Sequence, residues 1–177
     1  AGVATVEGEA GATITVTFVG SNGLPVDKPI DGNGPGVLMP VVLTPGDLVT
    51  LGDGIVNVTA SQTDEAGNQQ TVGSTPLSFT LDRVAPTVSG ISTTTPAGNY
   101  KAGETIALVA TLSEPTAAGT SFTAVLNTGA TVSFTAASTG TVLNASYTIG
   151  GSHNANPLAV VSLLPGDVAD AAGNALA

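Results

Sequence analysis

Apolar and polar residues alternate with a period of two along most of the chain. The clearest run is Thr13-Ile14-Thr15-Val16-Thr17-Phe18, which is typical of a strand with one face in a core. The same alternation predicts inward faces at Ile106, Leu108, Ala110 and Leu112, at Val132, Phe134 and Ala136, at Leu143, Ala145, Tyr147 and Ile149, at Val56, Val58 and Ala60, and at Leu77, Phe79 and Leu81. Because no stretch favours a helix longer than two turns, the pattern predicts an all-β fold.

Clusters of turn-forming residues separate these runs. They lie at Ser21-Asn22-Gly23, at residues 31–36, at Pro45-Gly46-Asp47, at Ala97-Gly98-Asn99 and at Gly150-Gly151-Ser152. Short strands that are interrupted every ~8–12 residues are typical of a β-sandwich.

A domain boundary is predicted where one strand run ends at Asp82 and another begins after Arg83. Pro86 holds the preceding residue extended, so the connection is a short and stiff linker. The halves also share a landmark, Asp64-Glu65-Ala66-Gly67-Asn68 in the first and Asp170-Ala171-Ala172-Gly173-Asn174 in the second. We therefore expect two related β-sandwich domains, 1–82 and 83–177, cut from a longer protein.

Composition excludes several classes of function. Thirteen Asp and Glu residues against three Lys and Arg residues give a net charge of −10, which argues against nucleic acid and against an anionic membrane surface as partners. The chain has no cysteine, so it has neither disulfides nor thiolate metal sites. No apolar run approaches the ~18 residues that a membrane span needs. The few aromatic residues, four Phe and two Tyr, offer little material for a sugar-binding platform.

The segment from Leu81 to Val88, together with the Asp64–Asn68 landmark upstream, resembles the joints of bacterial immunoglobulin-like repeats in large secreted surface adhesins. The ending Asp170 to Leu176 and the strand entry Tyr100 to Thr105 are similar to the same repeats. This resemblance implies tandem immunoglobulin-like Greek-key sandwiches in an extracellular stalk, often stiffened by calcium, that projects a ligand-binding tip from the bacterial cell surface for adhesion or biofilm formation. Its partners would be neighbouring domains of the same chain, and we expect a monomer.

Carboxylates are the main chemistry that the sequence offers. In a Greek-key sandwich the loop after the second strand and the loop before the last strand lie at the end where the chain enters. In the second half these loops contain Glu114 and Asp170, and the chain enters through Asp82. We therefore expect these three carboxylates to meet, with Asn174 or Asn99 and backbone carbonyls as further ligands.

The first half contributes further candidate ligands. The turns at Glu9 and Asp53 are expected close to Asp82, at the end where the chain leaves this half. Asp64 is expected at the opposite end in an acidic cluster with Asp27 and Asp31. Crowded carboxylates favour a hard cation with many oxygen ligands, so the expected cofactor is Ca²⁺. The alternative is that these acids only solvate the surface or close turns.

Catalysis is not expected. The single histidine, His153, lies in a polar loop, and nothing in the sequence places a nucleophile and an orienting acid around it. The predicted function is a structural extender segment of an adhesin. Two alternatives remain open: a carbohydrate- or protein-binding module of the same adhesin, using residues 22–45 or 150–157, and an accessory domain of a secreted hydrolase.

Overall fold

The computed structural model describes residues 4–177, and for residues 71–76 it describes the backbone alone. Residues 1–3 of the predicted first domain therefore lie outside the described residues. The protein is all-β, with twelve strands and one short helix in the described part of the chain. It divides into two compact units, Ala1–Asp82 and Arg83–Ala177.

The first unit contains six strands and the helix. These are β1 (Ala4–Val6), β2 (Thr13–Val19), β3 (Pro25–Asp31), β4 (Met39–Val41), α1 (Pro45–Leu51), β5 (Gly54–Thr63) and β6 (Gln69–Leu81). Four strands form a sheet in the order β3-β2-β5-β6, and β1 pairs with β4. Both sheets contribute side chains to one apolar core, which is consistent with a β-sandwich.

Strand alternation places the core of the first unit. Ile14, Val16 and Phe18 point inward from β2, as the sequence predicts, and they pack with Val56 of β5 and Val41 of β4. The predicted inward face of β6 is only partly correct. Phe79 and Leu81 pack against the core, but Leu77 is 52% exposed beside an irregularity in the pairing of β5 with β6.

The helix α1 replaces a turn that the sequence predicted at Pro45-Gly46-Asp47. Thr44 is its N-cap: the Thr44 hydroxyl accepts a hydrogen bond from the Asp47 N–H, and the Asp47 carboxylate accepts one from the Thr44 N–H. Pro45 fits the first helical turn because that position needs no N–H donor. Leu51, at the end of the helix, is fully buried in the core.

The second unit contains six further strands. These are β7 (Val88–Thr93), β8 (Thr105–Thr116), β9 (Ser121–Leu126), β10 (Thr131–Thr135), β11 (Gly140–Thr148) and β12 (Val160–Leu164). Their order is β12-β9-β10-β11-β8-β7. β10 and β11 are joined only through the pair Thr135 and Asn144, so the strands form two groups of three on either side of that link.

The two groups of strands enclose one core. Every second residue of β8 from Ile106 to Leu112 is buried, and so are Phe122 of β9 and Phe134 of β10. The rings of Phe122 and Phe134 stack, with centroids 5.0 Å apart and planes 9° apart. Leu143 and Tyr147 complete the core from β11. In the part of the chain that the structure describes, no helix is both long and apolar enough to cross a membrane.

Candidate metal site

Three carboxylates from distant parts of the sequence come together in the structure. One carboxylate oxygen from each of Asp82, Glu114 and Asp170 lies within 4.8 Å of the other two, and all three residues are half-buried. Asp82 is the residue through which the chain leads into the second unit, Glu114 lies near the end of β8, and Asp170 follows β12.

Backbone and side-chain hydrogen bonds explain why these elements converge. The N–H of Ser113 donates to the carbonyl of Thr87 at 2.9 Å, and the N–H of Thr87 donates to the Ser113 hydroxyl at 2.9 Å. This pair ties the end of β8 to the segment that follows Asp82. The buried hydroxyl of Thr116 lies 2.9 Å from the carbonyl oxygen of Ala169 and donates to it, which ties the same end of β8 to the residue before Asp170.

A tight turn fixes the carboxylate of Asp170. Its Oδ1 accepts hydrogen bonds from the N–H groups of Ala172 at 2.8 Å and Asn174 at 2.9 Å, and its Oδ2 accepts one from Asn174 Nδ2 at 2.7 Å. Gly173 has φ +92°, a conformation that favours glycine. The side-chain hydrogen bond from Asn174, followed by those from the backbone, lowers the pKa of Asp170, so this carboxylate is ionised at neutral pH. The backbone and side-chain amides of Asn174 therefore position Asp170, and its role as a metal ligand stays a prediction.

The first unit contains the same turn without the other two carboxylates. Asp64 Oδ1 accepts the N–H of Asn68 and Asp64 Oδ2 accepts its side-chain amide, both at 2.8 Å. The pKa of Asp64 is lowered, chiefly by the side-chain hydrogen bond from Asn68. Asp64, Glu65 and Glu9 line a surface pocket together with Ala10, Ala12 and Ala66.

The structure separates the candidate ligands of the first unit. Asp53 precedes Gly54, which pairs with Leu81, so Asp53 and Asp82 lie at the same end of the β5–β6 ladder. Glu9 lies at the opposite end, where its N–H donates to the side chain of Gln62 near the end of β5.

The expected position of Glu9 beside Asp82 is therefore corrected. It assumed that the turn before β2 lies at the end where the chain leaves the first half. In the structure β2 is hydrogen-bonded to both β3 and β5, and it runs antiparallel to β5. The start of β2 therefore lies beside the end of β5, which places Glu9 near Asp64.

The geometry of the three carboxylates fits a single cation. Oxygen ligands lie ~2.3–2.6 Å from a bound Ca²⁺, so two oxygens on the same ion are at most about 5 Å apart. The carboxylate oxygens of Asp82, Glu114 and Asp170 meet this limit. Ca²⁺ takes six to eight oxygen ligands, including backbone carbonyls and waters, and these three carboxylates could supply at least three of them.

His153 has structural partners. Its Nδ1 accepts a hydrogen bond from the N–H of Gly150 at 2.8 Å and lies 2.9 Å from the Tyr147 hydroxyl, and its ring stacks on that of Tyr147. These contacts order the loop after β11.

The chain matches no protein-family model, no curated protein and no solved structure.

Proposed function

We propose that this chain is a structural extender segment of a bacterial cell-surface adhesin, in which Ca²⁺ bound by Asp82, Glu114 and Asp170 stiffens the connection into the second unit. The observation that carries the proposal is the convergence of these three carboxylates. The sequence resemblance to adhesin repeats supplies the biological setting: an extracellular stalk that presents a ligand-binding region for adhesion or biofilm formation.

Strand order supports an immunoglobulin-like assignment for the second unit. In that fold the first, second, fifth and fourth strands form one sheet, and the third, sixth and seventh form the other. The group β7-β8-β11 and the pair β9-β12 follow this arrangement, whereas the fourth strand, β10, pairs with β9. The first unit differs because its second and third strands are neighbours, so we propose a β-sandwich there without immunoglobulin-like order.

The proposed role of the ion is mechanical. Asp82 belongs to the segment between the end of β6 and the start of β7, whereas Glu114 and Asp170 belong to the second unit. An ion that binds all three attaches the connecting segment to the second unit. This attachment reduces the number of backbone conformations that the segment samples, and the two units then move less freely.

One feature weighs against catalysis and another against an aromatic binding surface. The one histidine is engaged by Gly150 and Tyr147 in a loop contact. The four Phe residues are also committed to packing: Phe18 and Phe79 form an edge contact in the first unit, and Phe122 and Phe134 stack in the second.

Calcium binding is tested by calorimetric titration of the whole chain and of Glu114→Gln. We expect a Kd on the order of 10⁻⁴–10⁻³ M, as in extracellular modules, and at least a tenfold weaker Kd for the variant. Glu65→Gln, which removes the same charge from an exposed turn of the first unit, is the matched control and should bind like the parent. At about 10 mM calcium and a Kd of about 1 mM, binding stabilises the folded protein by about 1.4 kcal/mol. If Glu114→Gln bound calcium as tightly as the parent, Glu114 would not be a ligand and the proposed calcium site would be refuted.

The stiffening is tested separately by distance measurement between spin labels. Because the chain lacks cysteine, Ser78→Cys in the first unit and Ser146→Cys in the second place one label on each, both at exposed strand positions. We expect the distance distribution to be broader in chelator than in calcium, and the addition of Glu114→Gln to abolish this difference. If calorimetry shows calcium binding but calcium leaves the distance distribution unchanged, the ion binds without stiffening the connection. That result would refute the extender role of the ion.

A further inference from the structure

The turn that follows β11 is closed by the ring of His153. The N–H of Gly150 donates to His153 Nδ1 at 2.8 Å, and the N–H of His153 donates to the carbonyl of Gly150 at 3.1 Å. A Cβ atom at position 150 would lie 2.9 Å from His153 Cε1 and Nε2, so the ring packs directly on this glycine. The ring also stacks on Tyr147, which is buried. The imidazole therefore holds both the backbone of the turn and the end of β11.

These contacts require a neutral imidazole. A backbone N–H can only donate, so Nδ1 must carry a lone pair and the ring proton must lie on Nε2. The Tyr147 oxygen lies 2.9 Å from Nδ1, and its own proton can be donated to the Thr128 hydroxyl at 3.3 Å. Tyr147 could therefore accept a proton placed on Nδ1, but the N–H of Gly150 could not. Protonation of the ring sets two N–H donors against each other at Gly150.

The elements that pack around the turn supply no charge that would compensate. Ile149 pairs with the segment before β8 through the carbonyl of Glu104, and the Glu104 carboxylate accepts the N–H of Lys101 at 2.6 Å. In the turn between β9 and β10 the neighbour is Thr128, which is uncharged. Among the described residues, no ion pair involves His153. A protonated ring therefore has no carboxylate partner while the turn is closed.

Stacking on Tyr147 does not restore the lost hydrogen bond. A cationic ring is attracted to the face of an aromatic ring, which favours the stacked position. A ring flip keeps that position but replaces Nδ1 by carbon opposite the N–H of Gly150. In either orientation the N–H of the half-buried Gly150 loses its acceptor, which favours exposure of this amide to water.

We propose that the turn Gly150–His153 is a pH-sensitive switch, closed when the imidazole is neutral and open when it is protonated. Histidine is the side chain whose charge ordinarily changes between about pH 5 and 8, and this chain has one histidine and no cysteine. Because only the open turn accepts the proton, opening is favoured as pH falls through about 6.5, where a solvated imidazole titrates. Opening removes the ring that stacks on Tyr147 and exposes part of this buried aromatic side chain.

The switch and the proposed calcium site lie at opposite ends of β11. Thr148, next to the turn, pairs with Thr105 at the start of β8, whereas Gly140 pairs with Thr116, near Glu114. The proposal therefore does not depend on calcium binding, and the two can be tested separately.

The test is amide hydrogen exchange of the whole chain, measured by NMR at about pH 7.5 and about pH 5.5 and divided by the intrinsic exchange rate at each pH. If the closed turn excludes the proton, the opening equilibrium scales as one plus the ratio of protonated to neutral imidazole in the open turn. This factor rises from about 1.1 to about 11. The protection of the Gly150 amide should therefore fall about tenfold. The amide of Gly119, which donates to Ala136 in another turn of the same unit, should keep its protection.

Two variants identify the titrating group. His153→Asn keeps an acceptor near the position of Nδ1 but does not titrate in this range, so it should abolish the pH dependence. Glu104→Gln is the matched control, because it removes the carboxylate of the neighbouring segment and should leave the tenfold change intact. Nitrogen chemical shifts of the parent ring should show the proton on Nε2 at about pH 7.5.

Three results would overturn the proposal. The first is a ring proton on Nδ1 at about pH 7.5. The second is a Gly150 amide that keeps its protection when the ring is protonated. The third is a pH dependence that survives in His153→Asn or disappears in Glu104→Gln.

Discussion

Replacing Phe134 by Ala should destabilise the second unit and leave the first unit folded. Phe134 is fully buried and stacks on Phe122, and both rings belong to the core of the second unit. Truncation of a buried Phe to Ala costs about 3–5 kcal/mol, and a stacked aromatic pair adds about 0.5–1.5 kcal/mol to what area alone gives. We therefore expect a loss near the upper end of the first range, about 4–5 kcal/mol.

The tyrosines make this prediction measurable. Both Tyr100 and Tyr147 lie in the second unit, so tyrosine fluorescence follows the unfolding of that unit alone. Because m is about 1–3 kcal/mol per M of urea for small proteins, a loss of at least 3 kcal/mol lowers the tyrosine midpoint by about 1 M or more.

Phe18→Ala is the matched control in the first unit. Phe18 is also fully buried, and its ring meets that of Phe79 edge to face, with centroids 6.5 Å apart and planes 70° apart. This variant should lose part of the far-ultraviolet circular dichroism at lower urea while the tyrosine midpoint stays in place. If Phe18→Ala moves the tyrosine midpoint as far as Phe134→Ala does, the two cores do not unfold separately and the reasoning is refuted.

Three further changes test local contacts. Thr44→Ala should destabilise the first unit by about 1 kcal/mol because α1 loses its N-cap, and Thr44→Ser should keep most of that stability in urea titrations. The side-chain hydrogen bond from Lys28, with those from Thr44, lowers the pKa of Asp47 to about 2. Its contribution to stability is therefore complete above the unfolded value of 3.8 and is lost as pH falls towards 2, and an Asp47→Ala variant should show a weaker pH dependence in that window. Tyr147→Phe removes the hydroxyl that contacts His153 and should cost the second unit about 1 kcal/mol, more than a Phe replacement of the exposed Tyr100.

The strand faces could be predicted from sequence because burial alternates locally. Ile106 and Leu112 are buried as the pattern predicts, since each strand needs only one apolar face in the core. Strand order depends on contacts between distant segments, and the pattern does not contain it. One local signal was available, because Asn22-Gly23 between two alternating runs is a strong hairpin signal. It predicts β2 and β3 as neighbours in one sheet, which is what the structure shows.

Of two other differences, one has a local cause and the other does not. The run from Thr44 to Asp47 contains an N-cap, a proline and an acid in the first turn, which are helix-start signals that outweigh the turn tendency of Pro45-Gly46. Leu77 follows the alternation of its strand and lies opposite the buried Val58, but it is 52% exposed next to the point where the pairing of β5 with β6 shifts between Val58 and Ala60, so periodicity alone did not predict its exposure. A register shift depends on both strands, and neither sequence reveals it alone.

The carboxylate of Asp170 is held by hydrogen bonds within its own turn and not by the other two carboxylates of the proposed metal site. Asn174 and backbone N–H groups satisfy the Asp170 carboxylate, and the equivalent bonds hold Asp64 in the first unit, where neither Asp82 nor Glu114 is its neighbour. Because the same turn forms in both settings, its geometry does not depend on Asp82 or Glu114. Under the proposed function, Ca²⁺ therefore binds a carboxylate that is already oriented and recruits Asp82 and Glu114 to it. Chelation should then leave the second unit folded and change only the freedom of the segment that enters it.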